Sequence, residues 1–207
     1  MGARQATKLR LNAHTMDANY SVDPQATREE IHHRQVDLRY FSRSDGLFEV
    51  QGHLVDRKRH AYRRQLATAD SPPEVPLHDI IVRLVMDDLL NIHDAQAVMS
   101  ATPFGVCRDA VHTLKPLIGL RIGSGWNRQV RERLGGAHSC THIVELLGQM
   151  ATTALQGQAP QRIARINAPE GEALRRAKVD SCFAYAAHRD VVAQLWPHLY
   201  QPKPEAQ

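Results

Sequence analysis

The stretch FEVQGHLVD, residues 48–56, alternates two kinds of side chain and decides how the chain begins to fold. Apolar or small residues at every second position from Phe48 to Leu54 indicate a strand with one face against a core. A similar alternation over residues 36–40 ends before the turn sequence Ser44-Asp45-Gly46. The two runs and the turn predict a β-hairpin.

Two further apolar runs extend this hairpin into a meander. Residues 80–86 are typical of a strand buried on one or both faces, and residues 92–99 form a fourth run. Beyond Pro103 the apolar period becomes helical. The order predicts an α+β fold, with an antiparallel β-meander of about four strands over residues 34–99, followed by three helices packed on one sheet face.

The helical half is divided by loop signals. Helices are predicted over residues 103–118, from Ser139 to about residue 154, and from Glu172 to Leu195, with residues 160–169 forming a loop. Residues 1–31 are polar and weakly patterned, which predicts an extended or partly disordered arm. We expect a single α+β domain over residues 32–196 and a loose C-terminal tail over residues 197–207.

Composition excludes several classes of protein. Aromatic residues make up 5% and the net charge is +4, which argues against a dedicated nucleic-acid binder. Three widely spaced cysteines form neither a disulfide framework nor a zinc ribbon, which favours the cytoplasm. The first residues lack the apolar core of a signal peptide, and no apolar run approaches the ~18 residues that span a bilayer, so no membrane association is expected.

Two weaker motifs concern nucleotide and nucleic-acid binding. The glycines of residues 119–125 lack the spacing and the preceding strand of a nucleotide-binding loop, so no nucleotide cofactor is expected. The basic run Arg57–Arg64 could contact phosphates. Such a run is more typical of a solvated hairpin or edge strand.

Chemically useful side chains gather in GGAHSCTHIVELL, residues 135–147. Ser139 can cap a helix whose first turn contains or adjoins Cys140, His142 and Glu145. His142 and Glu145 share a face, so they could bind a divalent metal, or Glu145 could orient His142 as a general base. Cys140 lies where a helix dipole favours a thiolate nucleophile, although a small buried side chain is the more common role of such a cysteine.

Asp56 continues the core-facing side of its strand. A carboxylate that points toward a core must be paired or hydrogen-bonded, which makes Asp56 a candidate acid, base or ligand. Lys58 follows on the same face and could neutralise it. The alternative is that the strand ends earlier and Asp56 is solvated.

Polar residues also accompany the third strand. Asp79, Arg83 and Asp87 share one parity, and with His78 they could frame a polar pocket for a charged substrate. Arg83 would hold an anionic or phenolic group. The alternative is a half-exposed sheet face with ion pairs.

The segment G-x-x-x-C-T-H-x-x-E-L, residues 136–146, resembles the signature of an uncharacterised bacterial family, a domain of unknown function. The upstream pattern F-x-V-x-G-x-L-x-D-x-K, residues 48–58, is also similar. The family pattern also includes His78-Asp79 before a strand, and the later Pro103 and Cys107.

This resemblance covers roughly residues 32–156, with Ser139 standing where a glycine is expected. It implies a soluble bacterial protein whose relatives occur among functions of aromatic or acyl-thioester catabolism. It also implies that these residues belong to one site: Asp56, Lys58, His78, Asp79, Cys140, His142 and Glu145.

Together these observations predict a small-molecule lyase or hydrolase that acts on an aromatic or acyl catabolite by acid–base catalysis. His142 would be the general base or a ligand, and Asp56 and His78 would complement it. Either no cofactor or a single divalent metal, on His142 and Glu145, is expected. The alternatives are a non-catalytic ligand-binding or accessory protein and a weak nucleic-acid binder. An exposed sheet face would favour a homodimer.

Overall fold

The computed structural model describes residues 27–203, in which four strands form one antiparallel sheet in the order β1-β2-β3-β4. The strands are β1 His32–Ser42, β2 Phe48–Lys58, β3 Pro76–Met86 and β4 Ile92–Ala101. The predicted meander is therefore confirmed. Residues 27–31 are exposed and have no regular structure, and the rest of the predicted N-terminal arm, residues 1–26, lies outside the described residues.

Strict alternation gives the sheet one buried face. Val50 and Leu54 of β2 pair in register with Leu84 and Ile80 of β3, and all four are buried. Residues of the opposite parity form the outer face, where Gln51 pairs with Arg83. Because side chains alternate along a strand, this register sends one apolar set to the core and one polar set outward.

Two helices and a long 3-10 segment cover the buried face. The helices are α1 Trp126–Leu134 and α2 Thr141–Gly157, and the 3-10 segment is Gly105–Leu117. Their apolar side chains join those of the sheet in one core. The fold is thus α+β, with its helices following the strands in sequence as predicted.

The helical half differs from prediction in several details. A 3-10 helix replaces the first predicted α-helix, and α1 was not predicted, although Trp126, Val130 and Leu134 are buried at helical spacing. Helix α3, Ala159–Asn167, occupies a predicted loop. Pro160 does not prevent it, because a proline in the first turn removes no intrahelical hydrogen bond.

The long last helix that was predicted is broken in two. Its parts are α4 Glu172–Lys178 and α5 Asp190–Leu195. Between them Asp180 has a φ of 60°, which a right-handed helix does not accommodate. The Asp180 carboxylate instead accepts a hydrogen bond from the backbone N–H of Ala187.

The C-terminal residues pack beyond the predicted domain end at residue 196. Leu199 follows a short 3-10 turn, Pro197–Leu199, and is buried with Val192 and Trp196 in a second apolar cluster. Residues 204–207 of the predicted tail lie outside the described residues. No helix within residues 27–203 is long and apolar enough to cross a bilayer.

Gly52 allows α2 to approach the sheet closely. A Cβ atom at this position would lie 3.0 Å from side-chain atoms of Leu146 and Met150. We expect Gly52→Ala to lower the free energy of unfolding by about 1–3 kcal/mol through overpacking. Urea denaturation would measure this, with Gly105→Ala as the control because Gly105 faces open space. Equal stability of the two variants would contradict the close approach.

Candidate active site

A buried carboxylate lies near the end of β2, on the core face of the sheet. Asp56 is only 1% exposed. The strand register places Arg34 of β1 and His78 of β3 directly beside it. The position of Asp56 follows from the alternation that also buries Leu54, so the predicted core-facing carboxylate is observed.

Four donors surround the Asp56 carboxylate. Arg34 donates from Nε to Oδ1 at 2.8 Å and from Nη2 to Oδ2 at 2.9 Å. Nδ1 of His78 lies 3.0 Å from Oδ2, and Nε2 of His32 lies 3.2 Å from Oδ1. Lys58, predicted to neutralise Asp56, instead places its ammonium 5.6 Å from the centre of the Tyr62 ring. Arg34 supplies the neutralising charge.

Helix α2 adds a second imidazole. His142 stands in the first turn of α2, with Nε2 3.8 Å from Oδ2 of Asp56. Its ring centre lies 3.9 Å from that of His78, and the planes are tilted by 39°. One carboxylate and two histidines from β2, β3 and α2 therefore form a single cluster, which we call the Asp–His–His cluster (Asp56, His78 and His142).

The residues just before α2 behave differently from prediction. Cys140, rather than Ser139, is the boundary residue of the helix, and no side chain caps it. The Ser139 hydroxyl lies 2.6 Å from the Thr113 hydroxyl, which links α2 to the 3-10 segment. Sγ of Cys140 lies 3.6 Å from Nδ1 of His142. The thiol thus approaches the ring nitrogen that faces away from Asp56.

Glu145 does not contact His142 in the way that was predicted. Its carboxylate accepts a hydrogen bond from Nη1 of Arg34 at 3.1 Å, and its side chain is 50% exposed. Glu145 therefore braces the arginine that holds Asp56. It belongs to the periphery of the cluster.

Burial and charge determine the protonation states of the cluster. Burial opposes ionisation of Asp56, but the Arg34 hydrogen bonds and charge, with smaller contributions from His78 and His32, bring its pKa below the ordinary value. Burial, then the nearby Arg34 charge, lowers the pKa of His142. Burial, then the neighbouring His142, lowers the pKa of His78. At neutral pH the site thus contains a carboxylate and two neutral imidazoles.

A cleft of about 470 Å³ opens beside the cluster. His78, Cys140 and His142 line one part of it. Another part is apolar and is formed by Met99, Pro103, Phe104, Val106 and Ala110. Cys107 and Asp109 also line it, whereas no Lys or Arg of the described part of the chain does so. The cleft therefore joins titratable groups to an apolar wall.

The other predicted pocket residues lie elsewhere. Asp79 is on the outer sheet face, where Nε2 of His53 lies 2.8 Å from its carboxylate. Arg83 is on the same face and donates to Asp94 at 3.0 Å. Asp87 follows β3 and accepts backbone N–H groups of the next turn. The structure does not bring these three residues to the cleft.

The basic run Arg57–Arg64 is largely engaged in local contacts. Arg59 and Arg63 form ion pairs with nearby acidic residues at 2.8 and 2.7 Å. Arg64 donates to two backbone carbonyls. These contacts are typical of a solvated loop beside a sheet edge.

Comparisons with known proteins match this chain to one family. A family model described as "Protein of unknown function (DUF2889)" matches residues 32–156. The match contains the sheet, the cluster, Cys140 and Glu145, and it ends within α2. No curated protein and no solved structure gives a significant match. The predicted resemblance to an uncharacterised family is confirmed.

The Asp56 charge should matter for stability as well as chemistry. Asp56→Asn leaves the Arg34 cation without its buried carboxylate partner, so we expect a loss of about 1–3 kcal/mol in the free energy of unfolding. Asp79→Asn, on the exposed outer face, should cost less than about 1 kcal/mol. Urea denaturation of both variants would measure the difference. A loss from Asp79→Asn as large as that from Asp56→Asn would contradict the assigned role.

The lowered histidine pKa values predict a pH dependence of stability. The unfolded chain, with ordinary imidazoles, binds more protons than the folded chain between about pH 7 and pH 5. The free energy of unfolding should therefore fall as the pH drops through this range. Urea denaturation at a series of pH values, in buffer treated to remove metal ions, would measure this.

His142→Gln should flatten this dependence, because it removes one of the two titrating imidazoles. Parallel curves for wild type and His142→Gln would show that the buried imidazole is not the titrating group.

Proposed function

The chain belongs to the DUF2889 family, and we propose that it is a small-molecule enzyme, a lyase or a hydrolase, that works by acid–base catalysis. The Asp–His–His cluster at the wall of a cleft is the observation that supports this proposal most directly. Buried titratable groups with shifted pKa values beside a cleft are typical of catalytic sites.

In this proposal His78 is the general base and Asp56 is its positioning residue. Oδ2 of Asp56, 3.0 Å from Nδ1 of His78, favours the tautomer with hydrogen on Nδ1. The lone pair of Nε2 is then free to take a proton from a substrate or a water molecule. The protonated His78 is then suited to return this proton to a leaving group, with the neutral His142 beside it, 3.9 Å away between ring centres.

The cleft favours a substrate with an apolar part. The Met99, Phe104 and Val106 side suits an aromatic ring or an acyl chain. Because no Lys or Arg within residues 27–203 lines the cleft, we propose an uncharged reacting group rather than an anion held by Arg83. In a hydrolase, Cys140 beside His142 would be the candidate nucleophile.

A ligand-binding protein without turnover is the second candidate. The observation that favours it is the saturation of Asp56 by Arg34, His32 and His78. A network of this kind could simply hold three elements of the fold together around a ligand cleft. All three cysteines are free thiols, and we propose a cytoplasmic location for either candidate.

A substrate screen tests the two candidates together. Wild type would be incubated with uncharged aromatic carbonyl compounds, esters and acyl thioesters, and products would be followed by chromatography with mass detection. For any substrate found, His78→Gln should lower kcat/KM by about 10²–10⁴-fold, the usual contribution of a general base. His53→Gln is the matched control, because it alters a His–Asp pair on the outer sheet face.

The outcomes separate the proposals. Turnover that is the same in His78→Gln, His142→Gln and wild type would reject acid–base catalysis by the cluster. Compounds that raise the melting temperature of wild type without being converted would favour the ligand-binding candidate.

A further inference from the structure

Three donor atoms converge in the Asp–His–His cluster. One carboxylate oxygen of Asp56 and one ring nitrogen each of His78 and His142 all lie within 4.8 Å of one another. Within residues 27–203 no other set of three His, Cys, Asp or Glu side chains meets this condition. Two imidazoles with one carboxylate form the protein ligand set of many catalytic zinc and iron sites.

We infer that Asp56, His78 and His142 form a binding site for a divalent first-row transition-metal ion such as Zn²⁺. The inference rests on the proposed function and changes its mechanism, because an ion bound to His78 would replace that ring as the group that activates water or substrate. The site itself can be tested without a substrate. It replaces the metal pair predicted from sequence, because Glu145 is engaged with Arg34.

The donor separations suit such an ion. Ligand atoms about 2.1 Å from a tetrahedral Zn²⁺ are roughly 3.4 Å apart. Oδ2 of Asp56 lies 3.0 Å from Nδ1 of His78 and 3.8 Å from Nε2 of His142. These two distances lie on either side of the ideal value, and all three donor atoms lie within 4.8 Å of one another.

Binding would change the hydrogen position on His78. Nδ1 of His78 is in hydrogen-bonding contact with Oδ2 of Asp56. A bound ion would take the place of that hydrogen, and the ring would carry its hydrogen on Nε2. The other nitrogen of His142, Nδ1, keeps its contact with Cys140 at 3.6 Å.

The surroundings resemble the outer shell of a metal centre. Arg34 and His32 hold the Asp56 carboxylate from the side of β1 and fix its orientation. The positive charge of Arg34 would oppose a cation, but Glu145 contacts the same guanidinium and offsets it. Two carboxylates, those of Asp56 and Glu145, thus face the single guanidinium of Arg34.

The fourth coordination position would face the cleft. His78 and His142 line the cleft, whereas Asp56 lies behind them. A site with three protein ligands and one open position is the arrangement of catalytic rather than structural zinc. An ion there would polarise a substrate carbonyl or activate a water molecule, in line with a lyase or a hydrolase.

Metal titration of the full chain tests the inference. Protein without a polyhistidine tag would be treated with chelator, dialysed and titrated with Co²⁺, whose visible spectrum reports histidine ligation. Zinc content after reconstitution would be measured by mass spectrometry. We expect one ion per chain and a loss of affinity above about 100-fold for His142→Ala and His78→Ala, since even outer-shell changes cost 10–100-fold.

The control is His53→Ala, which removes a histidine of the same Asp–His type from the outer sheet face and should bind normally. Circular dichroism confirms that each variant is folded, and Asp56→Asn provides a third ligand change if one histidine variant is not. Folded wild type that takes up neither Co²⁺ nor Zn²⁺ at millimolar concentration would overturn the inference. So would binding that is unchanged in the folded ligand variants.

Failure of this inference differs from failure of the proposed function. Without metal binding, a His78→Gln variant that loses turnover leaves acid–base catalysis in place. With metal bound through the cluster, unchanged turnover in the same variant rejects the catalytic role and retains the metal site.

Discussion

The ion pair between Asp56 and Arg34 is the constraint on which the arrangement of this molecule depends. An unpaired buried carboxylate costs several kcal/mol even after relaxation, so Asp56 requires partners that the fold must supply. Those partners come from both neighbouring strands, and α2 brings His142 over the same point. The register of three strands and the position of one helix are therefore tied to a single charge.

The position of α2 depends on a second feature of the same strand. Gly52 faces Leu146 and Met150, while Asp56 faces His142, one helical turn before Leu146. Residue numbers thus fall along α2 as they rise along β2, which makes the helix antiparallel to the strand. The missing Cβ of Gly52 lets the helix approach closely enough for its first turn to reach the carboxylate.

Much of this could be predicted from the sequence, because alternation and helical stripes are local signals. These signals predicted that Asp56 lies on the core side of its strand. They also predicted the four strands and the apolar face of α2. The role of Arg34 was not predicted, because it depends on the strand register across the hairpin. The position of the turn does, however, indicate that register. A turn centred on Asp45 pairs residue 34 with residue 56, as observed.

Other features could not be read from local patterns. The break between α4 and α5 depends on a positive φ at Asp180, which no apolar period announces. The contact of Glu145 with Arg34 joins residues that are distant in sequence, so helical spacing alone suggested His142 as its partner. Long-range pairing of charged side chains is decided by tertiary packing rather than by spacing.

The dipeptide His78-Asp79 shows that the sheet face on which a side chain lies determines its chemical environment. Each of these two residues forms a His–Asp pair. His78 pairs with Asp56 at 3.0 Å, and Asp79 pairs with His53 at 2.8 Å. The second pair is on the outer face, with side-chain exposures of 37% and 28%, and α2 lies on the other side of the sheet. The first pair is enclosed by the helix and meets a second imidazole. A slip of one residue in β3 would exchange these environments, so the strand register, as much as the residue types, creates the site.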